Sequence, residues 1–273
     1  MRVLLTQVLD SQAPILAADG GTVPGIVLPE DAEQIAGEAA QEFWGAVEEG
    51  IQNRGTPAAA LSGGSTPRTL YTLLASEPYR KRLPWSRIHF FFGDERHVPP
   101  EDPQSNYRMV HEAMLSRVLV PPENVHRIRA EEPDASRAAA AYEAELRQHF
   151  SLAPKEFPRF DLVLLGLGPD GHTASLFPGT EALHETRCLA AANWVGRLGS
   201  HRITLTVPVF NSAALVVFLV AGKDKAMTLK SVLEGPFEPE RLPAQLIRPE
   251  RGRLVWLVDR AAVGQLSTGK EIH

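Results

Sequence analysis

The sequence predicts an α/β fold in three layers, with a mainly parallel, twisted, doubly wound sheet covered by helices on both faces. Three observations lead there. Short apolar runs alternate with amphipathic stretches at helical spacing along most of the chain, a pattern that demands crossover connections and hence parallel strands. One run, Asp161 to Leu167, is almost wholly apolar, as expected of a strand covered on both faces. Three polar segments follow such runs directly, at the strand ends where open parallel sheets hold their ligands. The 273 residues suit one such domain, since α/β sheets commonly organise chains of this size without a second core.

In chain order, residues 10–30 are rich in Gly and Pro and are expected to form an irregular N-terminal extension. Asp31 with Gln34 resembles a capping box, and Ile35, Ala39, Phe43, Val47 and Ile51 then recur on one helical face. Pro57 to Leu61 is a strand leading into Ser62-Gly63-Gly64-Ser65-Thr66-Pro67, and Leu70, Leu73 and Leu74 mark the next helix. Ile88 to Phe92 is a second strand, ending at Gly93-Asp94-Glu95-Arg96, and Ser105 or Asn106 should cap the helix after it. A helix over 134–150 presents Ala138, Ala141, Tyr142 and Phe150 to the core. The strand at Asp161 to Leu167 leads into Gly168-Pro169-Asp170-Gly171-His172. Arg202 to Val207 alternates as a half-buried strand, Ala214 to Ala221 and Leu254 to Val258 are apolar strands, and helices are expected at 224–234 and 260–266.

Composition narrows the function. The chain is 44% hydrophobic and 22% charged with a net charge of −5, which disfavours nucleic acid and anionic membranes as partners but permits a local cationic pocket. Cys188 is the single cysteine, so no intrachain disulfide forms and a reducing compartment is expected. The N-terminus turns polar at Thr6 and Gln7, unlike a secretory signal. A cytoplasmic enzyme with a small-molecule partner, monomeric or a small homo-oligomer, is the expectation.

Four groups of residues carry chemistry. In Ser62 to Pro67, Gly63 and Gly64 let the backbone approach a ligand, Ser65 and Thr66 offer hydroxyls, and Pro67 suits a first helical turn whose free N–H groups attract an anion. A plain strand-to-helix turn would read the same way. In the second group Arg96 could clamp a phosphate, while Asp94 and Glu95 fix it, bind hydroxyls or move protons. The third, Gly166 to Gly179, contains His172 two residues after Asp170, a pair suited to taking a proton from water near neutral pH. Its Gly166-Leu167-Gly168 lacks the third glycine of a dinucleotide site. The fourth is cationic: Arg202, Lys223 and Lys225, with charge alone unable to choose between the two lysines. Metal-ligand spacings such as His-Glu-x-x-His are absent, so neither a metal nor another cofactor is expected. Ser175 is a weak candidate nucleophile because no nucleophile elbow surrounds it.

Taken together from about residue 31 to 260, these segments resemble the 6-phosphogluconolactonase family, within a larger group that includes glucosamine-6-phosphate deaminases. The resemblance implies that Ser62 to Pro67 is a phosphate loop, that Asp94-Glu95-Arg96 is a second polar loop, and that Asp170 to Gly179 is the active-site signature with His172 as general base. It implies Gly63, Gly64, Ser65, Thr66, Asp94, Arg96, Arg202 and Lys225 as substrate-binding candidates, with Lys225 preferred because it follows Gly222 by three residues. The implied substrate is a phosphorylated sugar lactone. Where the deaminases carry glutamate before the proline of this signature, the chain has Phe177 before Pro178, and where they have an aromatic residue after Asp-Glu it has Arg96. Both departures favour lactone hydrolysis over isomerisation with deamination.

Overall fold

A computed structural model describes residues 25–266. Helix α1 spans Ala32–Arg54. Asp31 caps it by accepting from the N–H groups of Glu33 and Gln34, and the Gln34 side chain returns the favour to the Glu30 N–H rather than to Asp31 itself. The strand β2 (Ala58–Leu61) leads to α2 (Ser65–Leu74) and the short α3 (Tyr79–Arg82). Next come β3 (His89–Phe92), β4 (Asp94–Arg96), α4 (Asn106–Ala113), β5 (Val125–His126) and α5 (Ala135–His149). The remainder runs β6 (Leu162–Gly166), β7 (Ala190–Val195), β8 (Ser200–Leu205), α6 (Val207–Asn211), β9 (Leu215–Val220), α7 (Ala226–Glu234), β10 (Arg253–Val258) and α8 (Arg260–Val263).

A seven-stranded sheet has the order β1-β10-β9-β6-β2-β3-β5, where β1 is Gly25–Val27. Every pairing in it is parallel. From β2 the chain works outward through β3 to β5, then returns to β6 and works the other way through β9 to β10. Right-handed crossovers in opposite directions put helices on opposite faces, and the reversal lies between β2 and β6. The ends of those two strands therefore diverge into a crevice.

Packing at the reversal depends on size complementarity. Ala59 and Ala60 of β2 lie beside Phe90 and Phe91 of β3, all buried, so small side chains on one strand make room for aromatic bulk on the next. Two buried tyrosines close the strand ends. The Tyr71 hydroxyl accepts from the Ser62 N–H and donates to the Ser62 carbonyl, and Tyr142 does the same for Phe92. Backbone groups left over where the strands stop are thus paired without water, which holds the loops that follow at a fixed starting point.

Several expectations need correction. Gly25–Val27, within the stretch expected to be irregular, is an edge strand on β10; its brief apolar run docks there despite the glycines and prolines around it, and residues 10–24 lie outside the described part. The segment Arg202 to Val207 does not join the parallel sheet. Its strand, Ser200–Leu205, forms a separate antiparallel sheet in the order β4-β8-β7, and Val207 already opens α6. Asp94–Arg96 is accordingly a strand and not a loop. This small sheet grows from the carboxyl end of β3, where the Leu205 N–H bonds the Gly93 carbonyl. Ala141 faces solvent and Ala139 takes its place in the core. The last two helices are shorter than expected, because Lys223–Lys225 forms a single tight turn ahead of α7 and α8 ends at Val263. Among the described residues no helix is long and apolar enough to cross a membrane.

Candidate active site

A cleft of about 260 Å³ opens at the reversal point, between the loops after β2, β6 and β9. Ser62 to Pro67 forms one wall. Gly64, the residue before α2, has φ 109 and ψ 167, a conformation open to glycine, and no side chain caps the helix. The first-turn N–H groups of α2 therefore face the cleft with the positive end of the helix dipole. Gly63 is equally constrained: a Cβ there would stand 1.9 Å from Asn106 Oδ1.

Asn106, the first residue of α4, helps to build the floor. Its Nδ2 donates to the Asp94 carbonyl at 3.0 Å and to Asp94 Oδ1 at 3.2 Å. Asp94 Oδ2 accepts from Ser175 Oγ at 2.6 Å. Ser175 is 1% exposed and does not line the cleft, so nothing can reach it as a nucleophile. Glu95 turns the other way. It accepts from the N–H groups of Arg96, Asn106 and Tyr107 and from Ser105 Oγ, which makes it the anchor of the α4 N-terminus. Burial pushes its carboxyl upward against the pull of these N–H groups. Arg96 reaches the cleft while its Nη1 donates to the Gln104 carbonyl at 2.6 Å.

Of the other cations, Lys225 lines the cleft and pairs with Asp224 at 3.0 Å, whereas Lys223 is exposed and outside it. Arg202 is the cross-strand partner of Arg96, half-buried, and bonded to Ser200 Oγ and the His201 carbonyl. It lies beside Arg96 on the same face of the small sheet, just outside the residues that line the cleft, and burial together with the Arg96 charge lowers its pKa.

The opposite wall carries His172, presented by a tight turn in which the Gly168 N–H donates to the His172 carbonyl and the Gly171 N–H to the Gly168 carbonyl. Asp170 Oδ1 pairs with His172 Nδ1 and also accepts from the His172 N–H at 3.3 Å. The ring stacks on Phe177, with centroids 4.2 Å apart. Asp170 Oδ2 pairs with Arg197, which itself lies over the Phe177 ring. Arg197 had no signal in the sequence: it belongs to the turn between β7 and β8, elements whose pairing only the fold reveals.

Burial raises the Asp170 carboxyl, but the His172 hydrogen bond, the His172 charge and Arg197 outweigh it, and the pKa falls to about 2 from an ordinary 3.8. The sign follows directly. A depressed carboxyl stabilises the folded state above its unfolded value and loses that contribution as pH falls through its folded value. Acid unfolding followed by circular dichroism is expected to show a loss of stability between roughly pH 4 and 2 that is smaller in Asp170→Asn. Above that window Asp170 remains an anion beside His172.

With Nδ1 bound to a carboxylate, Nε2 is the basic nitrogen of His172. The cleft thus offers one imidazole base, an uncapped helix start and two cations, Arg96 and Lys225. That combination can hold an anionic group at one end and take a proton from water at the other.

The pattern of glucosamine-6-phosphate isomerases/6-phosphogluconolactonase matches residues 30–256. A 6-phosphogluconolactonase of Nostoc sp. is 44% identical over 218 residues, covering 80% of this chain and 88% of the relative. A 6-phosphogluconolactonase of Synechocystis sp. is 45% identical over 213 residues, covering 78% and 85%. The solved structure of the 6-phosphogluconolactonase from Trypanosoma cruzi superimposes with a TM-score of 0.80 at 29% identity, covering 90% of this chain and 97% of that one.

Proposed function

Since the chain belongs to the family of glucosamine-6-phosphate isomerases and 6-phosphogluconolactonases, we propose that it hydrolyses 6-phosphoglucono-1,5-lactone to 6-phosphogluconate, in the oxidative pentose phosphate pathway, with His172 as general base. The observation that carries the reading is the His172–Asp170 pair facing the uncapped α2 N-terminus across one cleft.

The phosphate lies against the N–H groups of Ser65 and Thr66, with Arg96 and Lys225 supplying charge. His172 Nε2 removes a proton from water as the water oxygen attacks the lactone carbonyl. The C–O bond of the ring then breaks, the imidazolium returns its proton to the departing ring oxygen, and the open-chain acid leaves. Asp170 holds the imidazole by its Nδ1–H and stabilises its charged form. A lactone is an activated ester, so base assistance and positioning suffice without a covalent nucleophile. Phe177, stacked on His172, offers no acid for the ring opening that the deaminase reaction needs. The enzyme works in the cytoplasm on a small-molecule substrate, as a monomer or a small homo-oligomer.

The test supplies freshly made lactone and follows acid release above the spontaneous rate, with glucosamine 6-phosphate as the competing substrate. Ammonia release from the latter, or no acceleration with the former, would overturn the reading. The lysines give an internal comparison. Lys225→Ala is expected to raise KM for the lactone by roughly tenfold, the loss of one charge-assisted contact of about 1.5 kcal/mol, while Lys223→Ala leaves KM unchanged. An unchanged KM in Lys225→Ala would show that Lys225 does not read the phosphate.

A further inference from the structure

Three histidines gather at the other end of β3 from the cleft. His89 opens that strand, His126 lies on β5, and His149 is the last residue of α5. Their ligand-capable nitrogens all lie within 4.8 Å of one another. No sequence spacing announces the group, because its members come from three elements that only the fold brings together. We propose that His89, His126 and His149 form a binding site for a single divalent transition-metal ion of the zinc type, remote from the hydrolytic cleft.

Geometry supports it first. His89 Nδ1 and His126 Nε2 face each other at 3.0 Å. Two imidazole nitrogens on a tetrahedral zinc, each at about 2.0–2.1 Å, would stand roughly 3.3 Å apart, so this pair is already close to the bite that an ion requires. His149, at a helix end, needs to swing its ring nitrogen inward by about 1.5 Å at most to complete the set at that spacing. The rings are held by packing: His126 stacks on Phe91 with centroids 4.1 Å apart, and His149 stands edge-on to Phe91 and Phe150.

The second observation is the carboxylate behind His126. Glu145 Oε1 lies 2.7 Å from His126 Nδ1, so the proton sits on Nδ1 and Nε2 carries its lone pair towards the other two rings. A carboxylate on the far nitrogen of a ligating imidazole is the usual outer support of a metal-bound histidine, fixing both tautomer and ring orientation. An all-imidazole set suits zinc, copper, nickel or cobalt and not magnesium or calcium. His89 and His149 are half-buried, which leaves a side open for entry and for water as a further ligand. Such an ion would tie the two-residue edge strand β5 to α5 and β3.

The experiment uses the full chain stripped with a chelator and titrated with Co2+, read by its visible absorption, and with Zn2+, read by calorimetry and thermal melting. One equivalent is expected to bind, with a rise in Tm. His149→Ala and His89→Asn should each weaken binding at least tenfold, and Glu145→Gln by about 10- to 100-fold, while lactone hydrolysis stays at the wild-type rate in all three. Absence of one-to-one binding, or undiminished affinity in the His89→Asn/His149→Ala double variant, overturns the proposal. A wild-type crystal soaked in Zn2+ decides without any variant: anomalous density among the three rings supports the site, and density only elsewhere rejects it.

Discussion

His172→Ala is expected to lower kcat for lactone hydrolysis by about 10²- to 10⁴-fold, the range that a positioned general base supplies. KM should change little, since the anion-holding parts of the cleft are on the opposite wall. The measurement must subtract spontaneous opening of the lactone, because a weakened enzyme soon approaches that background. His172 packs on Phe177 and pairs with Asp170, so a fold check by circular dichroism belongs beside the kinetics. A variant that keeps its full rate would remove His172 from the mechanism. Asp170→Asn should fall between the two, as an amide can still orient the ring but cannot stabilise the imidazolium.

The second large effect comes from a residue with no side chain of its own. A methyl group on Gly168 would stand 1.9 Å from His172 Nδ1, 2.1 Å from its Cε1 and 2.7 Å from Asp170 Oδ1. Side chains can yield where backbone cannot, so the protein is expected to fold and the His172–Asp170 pair to move. A displacement of about 1 Å at a reacting group costs on the order of 10²-fold, and Gly168→Ala should lose that much in kcat/KM with only a small change in Tm. A large drop in Tm with full activity per folded molecule would show instead that the turn bears on stability.

Much of this arrangement was visible in the sequence because polar residues sit directly after apolar runs. The loop at Ser62 to Pro67 and the turn at Gly168 to His172 both follow strands of the main sheet, and a parallel sheet gathers such ends. The choice between Lys223 and Lys225 needed the short turn that exposes one and directs the other inward. The antiparallel sheet was harder to see. Its strand β4 has three residues, all charged, and charge in a short segment resembles a loop until Glu95 is found bonded to the start of α4. Arg202 was implied as a substrate binder by the family resemblance, and the antiparallel pairing sets it directly beside Arg96, a neighbour no local pattern reveals. Arg197 and the histidine cluster depend on contacts between distant segments, for which local pattern carries no information.

The neighbours β2 and β6 meet with Ala59 beside Leu162 and Ala60 beside Val163. The loop Ser62 to Pro67, the start of α2 and Arg96 precede α5, whereas His172 and Lys225 follow it. A growing chain on the ribosome that has emerged only through α5 can therefore display an anion-attracting helix start with no base opposite it. Closing the gap between the two strands costs loop entropy before any reward from packing. The cleft is thus a late product of synthesis, complete only when both sides of the sheet have been made and joined.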